Sequence, residues 1–538
     1  MNDKKRLILY SVFTAVLLTP AWYQWGSGLI LLIALVPLLF VEDYLYQERA
    51  QHRPHKFLLY SFLAFFIWNL LTTWWIWNAS EVGMVLAVII NSILMSLVMW
   101  LFHITHRNAG NGPGYFGLIV YWLVYEHFYM NGEINWPWLN LGNGFANDIS
   151  IIQWYEYTGT FGGTLWVLVS NILVFLVLKQ YILCRKIKPL LPQLILLVLV
   201  IIIPISFSLY RYFTYHEKED PREVVVIQPN IDPYNEKFMG MEMDTQMQIL
   251  LHLADSLGTQ ETDYFVAPET FINNNVWVND LQDNSSIHQL CGFLKKYPRA
   301  HFIVGLTCYK EYTNPDSITP TANLIRGTNI YYDSFNASLQ LDSTGRIPVY
   351  FKSKLVVGVE KMPYTRYLRF LKKLTLRLGG TFRSHGTQDY RVSFPSSRKD
   401  GGVGTPICYE SVFGEFVTEY VTAGATLIFV ITNDGWWGNT PGYRQHHSFS
   451  RLRAIENRRS IARSANTGTS SFINQKGQVL QHTGYWVAAA IRGTLNSNNE
   501  LTFYTRHGDY IPRAAYFFAL IVLLYTLTMI FIKRRHKR

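Results

Sequence analysis

Three short stretches put reactive side chains at the ends of apolar runs. Val266-Ala267-Pro268-Glu269-Thr270 delivers a carboxylate, Tyr350-Phe351-Lys352-Ser353-Lys354 an ammonium, and Thr405-Pro406-Ile407-Cys408-Tyr409-Glu410 a thiol. A thiol is an effective nucleophile when a base takes its proton and a donor stabilises the charge that develops on the attacked carbonyl. Glu269 has the chemistry for the first task and for returning the proton to a leaving group. Lys352, if buried and kept charged by carboxylates, has the chemistry for the second. Glu360 follows Lys352 by eight residues. Singly, a strand-end Cys is commonly a small core residue and a Lys or Glu a solvated one. Together they describe acyl transfer through a thioester.

The elements that must position them begin near residue 222. Val224–Gln228, Tyr264–Ala267, Phe302–Leu306, Ile330–Leu341, Gly402–Ile407, Thr426–Thr432, Ser470–Asn474 and Val487–Gly493 are short β-branched runs that predict strands. Met243–Leu257 and Ser448–Ser464 carry apolar residues at helical spacing. Asp342-Ser343-Thr344-Gly345 predicts a turn. Alternation of this kind predicts an α/β sandwich built on two sheets.

The remainder is apolar. Of 538 residues 49% are hydrophobic and 16% charged, against about 25% charged in soluble domains. Runs at 7–24, 28–45, 57–77, 82–103, 115–131, 162–180, 189–209 and 514–532 predict eight membrane spans, seven before the α/β part and one after it. The first follows Lys4-Lys5-Arg6 as a signal peptide would, but lacks a small-residue cleavage site, so an uncleaved span is expected. Connections 46–56, 104–113 and 180–188 hold Arg49, Arg53, Lys56, Arg107, Arg185, Lys186 and Lys188, whereas 25–27, 78–81 and 132–161 hold no Lys or Arg. That asymmetry puts both termini in the cytoplasm and residues 211–511 outside, periplasmic in a double-membraned bacterium. It also assigns the net charge of +11 to a membrane rather than to nucleic acid. No paired charge within the runs suggests an ion path. Trp136 and Trp138, in the connection 132–161, are expected to anchor at the interface or to line an entrance from the bilayer. Cys184, Cys291, Cys308 and Cys408 form no metal-ligand spacing, so no metal or other cofactor is expected, and Cys291 and Cys308 are expected to be free thiols.

In the order Glu, Lys, Cys, each at a strand end, the chain resembles the nitrilase, or carbon–nitrogen hydrolase, superfamily. Gln228-Pro229-Asn230-Ile231, Asn336-Ala337-Ser338, Asn433-Asp434-Gly435-Trp436-Trp437-Gly438, Gln445-His446 and Arg463-Ser464-Ala465-Asn466-Thr467-Gly468 extend the likeness. With the spans, the whole chain resembles the bacterial apolipoprotein N-acyltransferase family. The resemblance implies a nitrilase-like α-β-β-α sandwich on the outer face of a transmembrane bundle of eight helices. Residues 1–210 would be the bundle, 211–511 the catalytic domain, and 512–538 the final helix and basic tail. Glu269 would be the general base, Lys352 the oxyanion-stabilising lysine and Cys408 the nucleophile, with Glu360, Tyr409 and Glu410 in support. The backbone amides of Tyr409 and Glu410 are candidates for the oxyanion site. Cys408 would accept an acyl chain from a membrane phospholipid and pass it to the α-amino group of the diacylglyceryl-cysteine of an apolipoprotein, in the bacterial inner membrane. A monomer is expected.

Two features depart from the family pattern. Relatives commonly read Leu-Val-Pro-Phe-Gly-Glu where this chain reads Leu355-Val356-Val357-Gly358-Val359-Glu360, and Phe238 stands where they often carry tryptophan. Phe238, Arg366, Trp436 and Trp437 are candidate substrate contacts. Residues 361–388 interleave aromatic and basic residues, including Arg366, Arg369, Lys372 and Lys373, as expected of an arm that dips into the outer leaflet. His446 and His447 are expected in structural hydrogen bonds. Two rivals are a membrane-anchored nitrilase-type amidase, for which one anchor would be enough, and a non-catalytic receptor or transporter, against which the intact Glu269, Lys352 and Cys408 argue.

Overall fold

The computed structural model describes residues 2–238, 240–363, 384–396, 398 and 400–536. Its chain divides into two compact units, Met1–Trp77 with Glu81–Thr214 and His507–Arg538, and Asn78–Ser80 with Tyr215–Arg506. Arg366 and the central part of the expected arm, 364–383, lie outside the described residues.

The first unit is helical. Among the described residues six helices are long and apolar enough to cross a membrane: Gly28–Gln47, His55–Asn78, Glu81–Ala109, Tyr155–Cys184, Lys188–Thr214 and Tyr510–Arg535. The other two expected runs are helices as well, Asp3–Leu18 and Asn111–Asn131, but fall short of that measure. The first has 16 residues, a rise of about 24 Å against a hydrocarbon core of about 30 Å. The second carries Glu126 and His127.

Two expectations for this unit change. Ionisable groups do meet in these helices: Lys179 Nζ lies 2.6 Å from Asp43 Oδ1, and the buried Glu42 Oε1 lies 2.6 Å from His103 Nδ1 and 3.0 Å from His106 Nδ1. They cluster near the C-terminal ends of Gly28–Gln47, Glu81–Ala109 and Tyr155–Cys184, a single layer rather than a path. Trp138 is a core residue, not an interface anchor, because the Trp22 indole donates to its carbonyl at 2.9 Å and Trp136 stacks on it at 5.3 Å. The buried Glu126 organises this connection, accepting from the Leu141 amide at 2.8 Å and the Thr164 hydroxyl at 2.7 Å.

The second unit is built on two sheets. The larger runs β14-β1-β2-β4-β6-β5, with β3 on β4 and β7 on β6. Its strands are β1 (Pro221–Gln228), β2 (Thr262–Val266), β3 (Ile272–Trp277), β4 (His301–Tyr312), β5 (Asn323–Leu324), β6 (Tyr331–Leu341), β7 (Val349–Phe351) and β14 (Ala489–Asn496). The smaller runs β13-β12-β11-β10-β9-β8, from β8 (Phe394–Pro395), β9 (Gly402–Gly404), β10 (Ala425–Thr432), β11 (Ile461–Ala465), β12 (Ser471–Ile473) and β13 (Val479–His482).

Side-chain alternation along the strands sets the layers. Phe335, Ala337 and Leu339 of β6 belong to the apolar core shared with Met247 and Leu250 of helix Met243–Leu257 and Leu290 of helix Ser285–Leu294. Asn336, Ser338 and Gln340 point the other way, where Ser338 Oγ meets Thr405 Oγ1 at 2.8 Å. Tyr264 and Phe429 meet edge to face across the same gap. Ile428, Val430 and Ile461 of the smaller sheet pack outward on Val417, Val421 and Ala454, from helices Gly414–Thr422 and Pro441–Asn457. The result is an α-β-β-α sandwich.

The helix expected over Ser448–Ser464 is displaced. Thr440 caps it, Pro441 opens it, and it ends at Asn457 where Arg458 turns left-handed, φ 48°. Ile461, Ala462 and Ala465 then lie in β11, parallel to β10 and fully buried. Their spacing fits a helix, but a strand buried on both faces has no alternation to reveal it. The strand expected over Gly402–Ile407 is likewise shorter. β9 stops at Gly404, and beyond Pro406, which has no N–H to give a ladder, only an Ile407–Ile431 bridge continues.

Candidate active site

Each sequence-predicted reactive residue stands just past a strand. Glu269 follows β2, Lys352 follows β7 with its amide bonded to the Asn336 carbonyl at 2.8 Å, and Cys408 follows the Ile407 bridge. Lys352 Nζ donates to Glu269 Oε1 and to Glu360 Oε1, both at 2.9 Å. The lysine is buried and both carboxylates nearly so. Burial would pull the Lys352 ammonium down, but Glu269, Glu360 and the Cys408 sulfur hold it well above its ordinary range. Burial likewise opposes the charge on Glu360, which Lys352, the Val356 amide and Asn336 nevertheless keep below its ordinary value. The divergent segment before Glu360 still forms a turn that presents it. Gly358 has φ 84°, its amide reaches the Lys361 carbonyl at 2.8 Å, and Val356 donates to Glu360 Oε2 at 2.8 Å.

Cys408 is half-buried and left-handed, φ 51°. That conformation costs a non-glycine residue about 1–3 kcal/mol, so its surroundings must hold it. Ser411 Oγ donates to the Cys408 carbonyl at 2.7 Å, and His446 Nε2 lies 3.1 Å from the same oxygen. His446 Nδ1 rests 2.9 Å from Asp434 Oδ1, and Asp434 Oδ2 accepts from Arg463 at 2.6 Å. His446 thus supports the backbone of the cysteine. Burial pushes the thiol well up, Glu269 adds to that, and Lys352 opposes it. A thiol in this setting is protonated at rest and needs a base.

The supporting residues separate by role. Glu410 is fully buried and accepts from the Ile407 and Ser353 amides at 2.8 and 2.6 Å, and from the hydroxyls of Tyr350 and Tyr420 at 2.7 and 3.0 Å. Its own amide donates to the Ile407 carbonyl at 3.1 Å, which removes it as a candidate oxyanion donor. Tyr409 is buried against Phe413. Phe238 stacks on Trp436 at 6.4 Å and Tyr234 meets Trp436 edge-on at 5.1 Å, an aromatic group with Phe238 half exposed. Trp437 packs on His446. Cys291 and Cys308 are both free.

A model of the carbon-nitrogen hydrolase family matches residues 226–498, more than half of the chain. The chain belongs to the carbon–nitrogen hydrolase family. A second model, the apolipoprotein N-acyltransferase N-terminal domain, matches residues 14–173. Among its relatives, a Chlorobaculum tepidum protein named apolipoprotein N-acyltransferase is 27% identical, covering 92% of this chain and 91% of that one. A Geobacter metallireducens protein of the same name is 26% identical over 69% of this chain and 66% of its own.

Two site residues escape sequence reasoning. Asn336 lies mid-strand, where its amide reads as an ordinary polar alternate, yet it donates to both Glu269 and Glu360. Lys237 precedes Phe238 in a polar turn and reads as solvated, yet it is buried against the Glu269 backbone. The signal available for each was its neighbour: the Asn336-Ala337-Ser338 motif, and the aromatic at 238.

Proposed function

We propose that this protein moves an acyl chain from a membrane phospholipid, through a thioester on Cys408, to the N-terminal α-amino group of a diacylglyceryl-cysteine on an apolipoprotein. The observation that carries the reading is the buried Lys352 shared by Glu269 and Glu360, with a left-handed Cys408 near enough to feel both Lys352 and Glu269, in a chain whose other unit offers helices fit to cross a bilayer. The relatives' shared name and the N-terminal family match support the lipoprotein acceptor. The loop-charge asymmetry supports a catalytic part, residues 211–511, on the periplasmic side of the inner membrane.

The steps follow from the site. Glu269 takes the thiol proton as the sulfur attacks the phospholipid ester carbonyl. Lys352 stabilises the resulting oxyanion. Collapse breaks the C–O bond, and Glu269 returns the proton to the leaving alkoxide, which departs as a lysophospholipid. The acceptor amine then attacks the thioester and gives its proton to Glu269. The sulfur leaves and regains that proton, and an amide is the product. The aromatic group of Phe238, Tyr234 and Trp436 is the surface on which an acyl chain would lie.

Protein in liposomes with labelled phospholipid should gain one acyl mass on Cys408, discharged by a diacylglyceryl-cysteine peptide. Hydrolysis of a soluble amide with no acyl-enzyme formed from phospholipid would overturn the reading. So would full activity in Cys408→Ser.

A further inference from the structure

One ammonium between two carboxylates leaves a negative charge uncompensated, and besides Lys352 the donor that Glu269 and Glu360 share is the neutral amide of Asn336. A second ammonium stands on the backbone side of Glu269. Lys237, 2% exposed, donates from Nζ to the Glu269 carbonyl oxygen at 2.9 Å and to Thr270 Oγ1 at 2.9 Å. Thr270 is itself left-handed, φ 48°, so this clamp closes on a strained residue next to the base. The lysine's own backbone is fixed, with Gln246 and Asn273 donating to its carbonyl at 2.9 and 2.8 Å. Both acceptors of Nζ are neutral, and burying an ammonium on neutral oxygens is costly unless nearby charge compensates it.

We propose that Lys237 is a positioning residue of the acyl-transfer site, fixing the backbone from which Glu269 projects and supplying the second positive charge that balances Glu269 and Glu360. The inference rests on the acyltransferase reading for its reaction, but its mechanism is one of charge. With both lysines protonated, the two ammoniums cancel the two carboxylates. When Cys408 passes its proton to Glu269, one negative charge moves from carboxylate to sulfur and the total stays at zero. Without Lys237 the pocket is already negative, and losing the thiol proton to water adds a second net negative charge, which disfavours the thiolate.

The lysine feels both reacting groups. Burial pulls its ammonium down to about 8, while Glu269 and Cys408 oppose the fall. The other charged groups around the thiol are Lys352 and Asp434, with Glu360 beyond Lys352. On the lysine's own turn, Glu236 and Asp232 accept from backbone amides of that turn. The sign is fixed: below that pH Lys237 is charged and favours the thiolate, and above it the support is lost.

The test is the pH dependence of Cys408 alkylation by iodoacetamide in the full-length protein in detergent, read by mass spectrometry of the Cys408 peptide. It is run on wild type, Lys237→Met, and Lys237→Gln, which retains a donor. Wild type should show a break near pH 8, where the rise in rate flattens. Both variants should alkylate about tenfold more slowly at neutral pH, as for about one unit of thiol shift, and lack the break. A break that persists in either folded variant, or is absent from wild type, overturns the proposal, since loss of a merely structural clamp would not move it. If one variant fails to fold, the other decides. Because alkylation needs no phospholipid, a wild type that forms no acyl-enzyme would sink the acyltransferase reading without touching this result.

Discussion

Asn336 and Lys352 donate to the same two oxygens. Asn336 Nδ2 reaches Glu269 Oε1 at 2.7 Å and Glu360 Oε1 at 2.9 Å, and Lys352 Nζ reaches each at 2.9 Å. Each carboxylate therefore presents one oxygen to a shared pair of donors. Replacing Asn336 by Ala should slow Cys408 acylation by about a hundredfold, the scale of losing one preorganised donor, and cost about 1–3 kcal/mol of stability. Asn336→Asp should be worse, because it sets a third carboxylate against the first two. Single-turnover acylation and denaturant melts of both variants check this.

Glu410→Gln keeps the shape of the side chain but turns an NH2 toward donors. The Ile407 and Ser353 amides and the Tyr350 and Tyr420 hydroxyls all converge on this carboxylate. The expected cost is about 2–3 kcal/mol, seen as a lower melting temperature, with acylation falling alongside it.

Gly305 is required by a close approach. A Cβ there would stand 2.6 Å from the Glu269 Cα and from the Thr270 amide nitrogen, so backbone rather than a flexible side chain would have to yield. Gly305→Ala should remain folded but displace the base, and a misplacement of about 1 Å costs on the order of a hundredfold. Measuring acylation beside a circular dichroism melt separates the two effects.

His447 should make the outer unit acid-sensitive. Burial, with Arg463 and Arg451 nearby, brings its imidazole down from 6.5 to about 3. Between those values the unfolded chain binds a proton that the folded one does not, so stability falls as pH drops from 6.5 toward 3. His447→Gln should flatten that limb. An unchanged slope of melting temperature against pH over this window would refute it.

Much of this was legible in the sequence where chemistry and periodicity agreed. Glu269, Lys352 and Cys408 stood out because each closes an apolar strand, and Met243–Leu257 because its apolar face repeats at helical spacing. β11 reads as helix from the sequence because a strand buried on both faces has no alternation to betray it. Trp138 reads from the sequence as an anchor or an entrance lining because composition near a membrane cannot tell a lipid-facing indole from a packed one. Lys237 and Asn336 stay hidden because their partners lie more than twenty residues away in sequence, and only folding brings them together. The contacts of Glu42 with the two histidines are hidden for the same reason.

Glu410 holds Ser353 and Ile407, the immediate neighbours of Lys352 and Cys408. Lysine and nucleophile are thereby carried on one rigid piece, like two jaws riveted to a single plate. Tails of different length would then meet an unchanged reaction centre, and the choice among them is made in the walls around it.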